Sequence, residues 1–203
     1  RWPLQTRETV AVLIELSDYK SEANGRADLE ALLEQVFETD IVTDAAIAAN
    51  LTQSNEFWAL RDHMTEAQQR AGKNIKHDIA VPVSRIADFV ASTNAEIEAK
   101  FSGIRMIVFG HLGDGNLHYN VSPPPGLRGD DFGTIEAAVN RVTHDAVNRF
   151  NGSVSAEHGL GVLRRGEAAR YKSDVELSMM RAIKTALDPQ GIMNPGKSLG
   201  DFQ

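Results

Sequence analysis

The sequence predicts an α+β fold in which a largely antiparallel sheet has helices packed on one face. Two observations predict it. First, short apolar segments of strand length alternate with segments whose apolar residues recur every three or four positions, as in amphipathic helices. Second, two strand segments flank Asp114-Gly115, a favoured two-residue hairpin turn. A tight hairpin makes at least part of the sheet antiparallel, and helices then cover one of its faces.

The first elements that we predict are a strand, a helix and a second strand. Residues 10–16 read VAVLIEL, which is apolar and β-branched enough for a buried strand. Between residues 29 and 37, apolar side chains fall at i, i+3, i+4, i+7 and i+8, the spacing of one helix face. Residues 44–49 form a weaker strand pattern. The beginning of the chain therefore has a βαβ pattern.

The next segments predict a helix, a strand and another helix. An apolar stripe over residues 57–71 lies behind Ser54, which we expect to cap this helix. Residues 76–81 have the composition of a strand. A second stripe between residues 86 and 97 indicates the following helix, and we expect Ser84 to cap it.

The second half of the chain contains the predicted hairpin and two further helices. Residues 104–109 and 117–121 are the two hairpin strands, and the Pro-rich stretch 123–126 is a loop. The stripe over residues 135–150 predicts a helix that Asn151-Gly152 ends.

A capping-box pattern marks the start of the last predicted helix. Ser173 and Glu176 have the spacing at which each side chain binds the backbone of the other residue. We predict that this helix ends near Asp188 and that residues 189–203 form an irregular tail. The tail contains two Gly and two Pro among its first eight residues, which is typical of irregular backbone.

The composition excludes several classes of function. The chain has 203 residues, a formal net charge of −7 and no cysteine, so a thiol nucleophile and a thiolate metal site are both excluded. A metal ion would need His, Asp or Glu ligands. Lys and Arg are scattered, which argues against nucleic-acid binding. We find no signal peptide and no apolar run near the roughly 18 residues of a membrane span, and we expect a cytoplasmic location.

The stretch GHLGDGNLHYNV contains two histidines that could share a metal ion. If Asp114-Gly115 is the turn, His111 lies directly opposite His118, and Asn120 points to the same face. Directly opposed residues have Cβ atoms about 5 Å apart, a distance at which two imidazoles can bind one ion. The alternative is a surface hairpin whose histidines face water.

The best candidate for a third ligand is in the segment SAEHGLG. Glu157 and His158 stand together among glycines that would let the backbone approach a ligand closely. Catalytic zinc sites usually have three protein ligands and one open position, and a neutral histidine beside the metal can act as a general base. The alternative is a Gly-rich helix cap with an incidental Glu-His pair.

The candidate groups for binding an anionic substrate are two cations. Arg61 and Thr65 are four residues apart in a predicted helix, so they share a face, and Arg suits bidentate carboxylate binding. Lys76 opens the following strand, where Asp78 shares its face and His77 points the other way. The alternative is that both cations are ordinary surface charges.

The segments GHLGDGNLHYNV, SAEHGLG and LDPQGIMNPGK resemble the C-terminal domain of FAD-linked oxidases. This family includes D-lactate dehydrogenases, the flavin subunit of glycolate oxidase and D-2-hydroxyglutarate dehydrogenase. The segments FWALRDHMTEAQ and IKHDIAVPVSRI also resemble the family, most of all its 2-hydroxyglutarate dehydrogenase-like branch. The resemblance covers nearly the whole chain and implies a sheet of ferredoxin-like type with a metal site at its face.

The resemblance also implies roles for individual residues. It implies that residues 1–203 are the substrate- and metal-binding C-terminal part of the protein, with the flavin-binding domain absent. It implies FAD as cofactor, bound mainly by that domain, and a divalent metal ion, for which we expect zinc. The residues that match the family are His111, His118 and Glu157 as metal ligands, His158 as catalytic base, and Arg61, Thr65, Lys76 and Asn120 as substrate contacts.

The activity that the resemblance implies is oxidation of a D-2-hydroxyacid, such as 2-hydroxyglutarate, lactate or glycolate, to a 2-oxoacid. The expected partners are this substrate, the flavin-binding domain of the same protein and an electron acceptor, with no nucleic acid and no membrane span. We expect the chain alone to be inactive and to bind no flavin. Two alternatives remain at this point: a non-catalytic metal- or anion-binding module, and a metal-dependent hydrolase or lyase with a His-His-Glu site.

Overall fold

The chain divides into two compact units, residues 1–71 and residues 72–203, and each is described by itself. The structure is a computed structural model. It describes residues 2–5, 7, 10–70, 72–124 and 132–199.

The N-terminal unit contains three helices in its described residues: α1 (Glu22–Phe37), α2 (Leu51–Asp62) and α3 (Met64–Arg70). Ser21 caps α1, since its side chain accepts a hydrogen bond from the backbone N–H of Asn24. The prediction of a helix between residues 29 and 37 is confirmed, and the cap extends it by more than a turn toward the N-terminus.

Both strands predicted for the N-terminal unit are wrong. Residues 10–16 and 44–49 form no strand, and the side chains of Val10 and Val12 are 74% and 61% exposed. A strand needs a neighbour that accepts and donates its backbone hydrogen bonds. In the described part of this unit no other strand is present to serve as that neighbour.

The helix predicted over residues 57–71 is interrupted. It is divided at His63 into α2 and α3, and α2 begins earlier than its apolar stripe. The cap is Asn50, whose side chain accepts a hydrogen bond from the N–H of Gln53. Ser54 therefore lies inside α2, and its predicted role as the cap is wrong.

The C-terminal unit is built on an antiparallel sheet of three described strands, β1 (Asp78–Ala80), β2 (Arg105–His111) and β3 (Asn116–Ser122), in the order β1-β3-β2. The strands predicted over residues 76–81, 104–109 and 117–121 are confirmed, and each observed end lies within two residues of the predicted one. The predicted α+β class with an antiparallel sheet is also confirmed.

Two helices, α4 (Ile86–Lys100) and α5 (Glu136–Arg149), pack against one face of this sheet. Side chains alternate between faces along a strand, so the odd-numbered residues of β3 point toward these helices. The opposite face carries the even-numbered residues of β3, of which Asn116, Asn120 and Ser122 are buried polar residues. The buried residues that form the core include Ile79, Leu117, Tyr119 and Val121 from the sheet, Phe89 and Ile97 from α4, and Val139, Ala146 and Val147 from α5.

The boundaries of these two helices differ in one respect from the prediction. Ser84 lies in a short 3-10 turn, Val83–Arg85, and makes no capping hydrogen bond to α4, so that prediction is wrong. Asn151 has a φ of 56° and its N–H binds the carbonyl of Asn148, so the predicted end of α5 is confirmed. Pro125 and Gly126 of the predicted loop lie outside the described residues.

Two helices complete the C-terminal unit: α6 (Arg165–Tyr171), which the sequence pattern did not predict, and α7 (Asp174–Leu187). The predicted capping box of α7 is confirmed, because the side chains of Ser173 and Glu176 each bind the backbone N–H of the other. Residues 188–199 contain no helix or strand. No described helix is long and apolar enough to cross a membrane.

Candidate active site on the sheet face

The hairpin between β2 and β3 sets the positions of the two predicted histidine ligands. His111 pairs with Asn116, and Phe109 pairs with His118, so the expected direct opposition of His111 and His118 is wrong by two residues. Because an offset of two keeps a side chain on its face, both histidines still point to the same side of the sheet.

The register differs because the turn is longer than two residues. The 3-10 turn Leu112–Asp114 and Gly115 connect the strands, and Gly115 has a left-handed φ of 76°. A Cβ at Gly115 would lie 2.0 Å from the carbonyl oxygen of Val81, so only glycine fits there. The N–H of Val81 binds the carbonyl of Gly115 at 3.1 Å, which ties the turn to the end of β1.

The pairing of β1 with β3 places further polar residues on this face. Asp78 pairs with His118, and the same register continues to the bridge between Ile75 and Val121. Lys76 is one residue beyond Ile75 and therefore falls opposite Asn120. The structure thus brings the predicted substrate contacts Lys76 and Asn120 together on the face that carries His118.

The segment that contains Glu157 and His158 runs along the free edge of β1. The backbone of Ser153 exchanges two hydrogen bonds with Ala80, at 2.8 and 2.9 Å. The N–H of Ala156 then binds the carbonyl of Asp78 at 3.2 Å. The end of α5 is close to the sheet because Gly152 lacks a side chain: a Cβ there would lie 2.3 Å from the carbonyl of Ala80.

Three predicted site residues meet at this edge. Glu157 Oε1 lies 3.7 Å from His118 Nε2 and 3.4 Å from His158 Nε2, and the two imidazole rings are 6.1 Å apart. The His118 ring also packs on Phe109 with 5.0 Å between ring centres, and its side chain is 19% exposed. Glu157 and His158 are both at least half exposed, so this cluster opens to solvent.

The side chains that could hold a metal ion form a cluster around Glu157. Among the described residues, ligand atoms of Asp78, Glu157 and His158 lie within 4.8 Å of one another. His118 approaches the same carboxylate, whereas His111 lies farther along the face beside Asn116. Two imidazoles and a carboxylate are suitable ligands for Zn, Fe or Mn, so the donor set on this face fits a divalent metal ion.

The remaining predicted substrate contacts, Arg61 and Thr65, belong to the N-terminal unit. Arg61 lies in the last turn of α2, where its guanidinium is 3.9 Å from the Asp62 carboxylate, and Thr65 lies in α3. The interruption at His63 means that one continuous helix does not carry both. Their contribution to substrate binding stays a prediction.

Sequence reasoning missed the role of two residues that hold this site together. Asp78 is 2% exposed and its carboxylate accepts the backbone N–H groups of Glu157 and His158. Arg164 donates to the carbonyls of Val154 and Lys76, both at 3.3 Å, and so ties the segment to the residues that precede β1. A carboxylate within an otherwise apolar strand was the available signal for Asp78. Nothing local in the sequence indicates Arg164.

His77 is buried on the helix side of the sheet and, as predicted, points away from the face of Lys76 and Asp78. Its Nδ1 lies 2.7 Å from the Tyr119 carbonyl and its Nε2 lies 2.9 Å from the Asn140 side-chain amide. Burial lowers the pKa of His77 from 6.5 to about 4, so the ring is neutral near pH 7. His77 therefore belongs to the core and not to the candidate site.

Comparison with known proteins identifies a family. The chain matches the family described as FAD linked oxidases, C-terminal domain, over residues 1–198. It is 37% identical over 200 residues to a mitochondrial D-2-hydroxyglutarate dehydrogenase of Arabidopsis thaliana, which is 98% of this chain and 34% of that protein. It is 33% identical over 191 residues to the D-2-hydroxyglutarate dehydrogenase of Stutzerimonas stutzeri (strain A1501), which is 94% of this chain and 41% of that protein.

A third relative has the same name. The D-2-hydroxyglutarate dehydrogenase of Xanthomonas citri pv. viticola is 36% identical over 180 residues, which is 89% of this chain and 37% of that protein. The chain thus spans about a third of the length of the curated relatives that it matches. Some relatives are named as mitochondrial, so the expected cytoplasmic location stays a prediction. With a match over residues 1–198, the chain belongs to the family of FAD linked oxidases, C-terminal domain.

Proposed function

We propose that this chain is the substrate- and metal-binding part of an FAD-dependent dehydrogenase that oxidises a D-2-hydroxyacid to a 2-oxoacid. The observation that carries the proposal is the meeting of His118, Glu157 and His158 on a sheet face that also carries Lys76 and Asn120. The names of the relatives make D-2-hydroxyglutarate the first substrate to test, ahead of lactate and glycolate.

A divalent metal ion, which we propose to be zinc, would be held by His111, His118 and Glu157. Glu157 supports this assignment because its carboxylate is 3.7 Å from His118 Nε2, and His111 shares the face of His118. When bound, the ion would lower the pKa of a substrate hydroxyl and FAD would accept the hydride of the oxidation.

The protein's own residues would bind and orient the substrate. The cation of Lys76 would attract a carboxylate, and the amide of Asn120, opposite Lys76 in the sheet, would donate a hydrogen bond to it. Arg61 and Thr65 of the N-terminal unit are proposed as further contacts, since a guanidinium can bind a carboxylate through two parallel hydrogen bonds.

His158 is proposed as the base that removes the hydroxyl proton. Its Nε2 lies 3.4 Å from Glu157 Oε1, so a hydroxyl group next to that carboxylate is within reach of this nitrogen. The His158 side chain is 62% exposed, so solvent can receive the proton after each turnover. Holding base and substrate in a fixed geometry is the contribution that the sheet edge would make to the rate.

The experiment is a screen of 2-hydroxyacids with a protein that carries this chain together with its flavin-binding domain. An artificial electron acceptor reports turnover, and L-2-hydroxyglutarate is the matched control for D-2-hydroxyglutarate. We expect reduction of the acceptor with the D-enantiomer and at least 100-fold less with the L-enantiomer. A flavin- and metal-loaded protein that oxidises no 2-hydroxyacid would contradict the proposal.

A further inference from the structure

Asp78 has no assigned role in the proposed reaction, although it is one of the most deeply buried ionisable groups of the C-terminal unit. It lies on β1 opposite His118 and its residue is 2% exposed. A buried carboxylate costs several kcal/mol unless hydrogen bonds or opposite charges compensate it. The groups that surround Asp78 therefore indicate what it is held there to do.

Those groups are consecutive backbone N–H donors of one segment. The Asp78 carboxylate oxygen Oδ2 accepts from the N–H of His158 at 2.9 Å and from the N–H of Glu157 at 3.2 Å. The carbonyl of Asp78 accepts from the N–H of Ala156 at 3.2 Å. Asp78 thus fixes the backbone of three successive residues, 156–158, and two of these are the proposed site residues Glu157 and His158. Hydrogen bonds to an ionised acceptor are about twice as strong as neutral ones.

The same carboxylate also faces the ring of His158. Oδ2 lies 3.5 Å from His158 Nδ1, while Nε2 on the other side of the ring faces Glu157 Oε1 at 3.4 Å. The His158 ring thus lies between two carboxylates, with Nδ1 toward Asp78 and Nε2 toward the cluster.

Asp78 could instead be read as a metal ligand, since its oxygen lies near Glu157 and His158. Its hydrogen bonds argue against that reading. Oδ2 already accepts from two N–H groups, and Oδ1 lies 3.4 Å from the N–H of Glu157. A metal ion at Oδ2 would compete with the two donors that fix the segment.

We propose that Asp78 is a positioning residue that anchors Glu157 and His158 through their backbone N–H groups and directs His158 Nε2 toward the substrate. This inference rests on the proposed function, because it gives His158 the role of base. Asp78 would act through His158 and would touch neither the substrate nor the metal ion.

The first test is a double-mutant cycle in the flavin-containing protein. Asp78→Asn replaces one acceptor oxygen by a donor, and with the metal ion added to saturation we expect kcat to fall about 10- to 100-fold while KM stays within about twofold. In the His158→Ala background the same change should alter kcat less than about threefold, because the group that it positions is gone. Asp145→Asn is the matched control, since its carboxylate accepts from the Tyr171 hydroxyl and we expect wild-type kcat.

Equal losses in both backgrounds would overturn the proposal, and so would a fully active Asp78→Asn. The second test needs neither a variant nor activity. In the wild-type protein we expect the backbone N–H groups of Glu157 and His158 to exchange with solvent at least 100-fold more slowly than that of Gly159, although their side chains are exposed. Fast exchange at both positions would overturn the anchoring role of Asp78, and this test remains valid even if the Asp78→Asn variant fails to fold. The wild-type protein could also oxidise no hydroxyacid while these two N–H groups exchange slowly. That result would contradict the proposed function and leave the anchoring role of Asp78 standing.

Discussion

Residues 10–16 of the N-terminal unit and residues 117–121 of the C-terminal unit both predict a strand and have different structures. Residues 10–16 form a nearly continuous apolar run, whereas apolar and polar residues alternate over residues 117–121. Residues 117–121 lie in β3, paired on both sides by β1 and β2, with Leu117, Tyr119 and Val121 buried. Residues 10–16 form no strand, and most of their large apolar side chains are exposed.

The difference teaches that an apolar pattern selects a strand only where other strands are present to pair with it. The flanks of β3 provide both a hairpin partner and an edge strand, whereas the described N-terminal unit provides helices alone. The same contrast applies to the proposed site. In the C-terminal unit the sheet fixes where His118 and Lys76 point, whereas in the N-terminal unit Arg61 and Thr65 lie on two separate helices.

The largest expected effect sharpens this contrast between the two units. His158→Ala removes the proposed base, so we expect kcat of the flavin-containing protein to fall about 10²- to 10⁴-fold. Arg61→Ala, in the N-terminal unit, should act mainly on KM if its carboxylate contact is equally strong in ground and transition states. Steady-state kinetics on both variants measure this. A His158→Ala protein with wild-type kcat would remove the role of base from this residue.

Core substitutions test whether the two units differ in stability as their burial suggests. Phe89 is fully buried against Tyr119 and Phe150, so Phe89→Ala should lower the free energy of unfolding by about 3–5 kcal/mol. Val12→Ala removes an exposed side chain and should change it by less than about 0.5 kcal/mol. Urea unfolding measures both. A large loss for Val12→Ala would mean that residues 10–16 are buried in solution.

The buried His77 should make the C-terminal unit less stable as the pH falls below about 6.5. The pKa of His77 is about 4 in the folded protein and near 6.5 when unfolded, so the unfolded state binds the proton first as the pH falls. Stability is fully present above about pH 6.5 and decreases by up to about 3 kcal/mol toward pH 4. Burial lowers the pKa of His144 as well, which adds in the same direction.

Unfolding free energies measured at several pH values between 7 and 4 would detect the change. His77→Asn is the matched variant, because the amide cannot be protonated in this range and the decrease should become smaller. A wild-type stability that does not change between pH 7 and 5 would contradict the burial of a neutral His77.

The smallest expected effects concern helix caps. Ser173→Ala removes the capping-box hydrogen bond that the Ser173 side chain accepts from the N–H of Glu176. It should lower the free energy of unfolding by about 1 kcal/mol. Ser84→Ala is the matched control from the same unit, since Ser84 makes no capping hydrogen bond to α4. Thermal unfolding of the two variants compares them directly. Equal losses would mean that Ser84 caps α4 after all.

Local chemistry explains which parts of the structure could be predicted. The α5 end at Asn151 and the α7 capping box depend on neighbouring residues alone, and both are confirmed. The hairpin was predicted from Asp114-Gly115, but its register depends on a contact of Gly115 with Val81 more than thirty residues away. A local pattern cannot contain that contact, which is why the register was wrong by two residues.

The candidate site divides in the same way. The face shared by His111, His118 and Asn120 follows from strand alternation and was predicted correctly, as was the direction of His77 away from the face of Asp78. The approach of Glu157 to His118 is tertiary, because the segment crosses the edge of β1 and is held there by Asp78 and Arg164. In the sequence Glu157 is 39 positions from His118, and the resemblance to the family was what connected these two residues.

Metal analysis of two histidine variants of the flavin-containing protein tests the central claim most directly. The account predicts that His118→Ala loses its metal ion, because two remaining ligands hold a divalent ion poorly, and that His158→Ala retains it. The measured quantity is the metal-to-protein ratio after dialysis, with the wild-type protein as reference. If His158→Ala loses its metal ion while His118→Ala retains it, the assignment of ligand and base is reversed and the account is wrong.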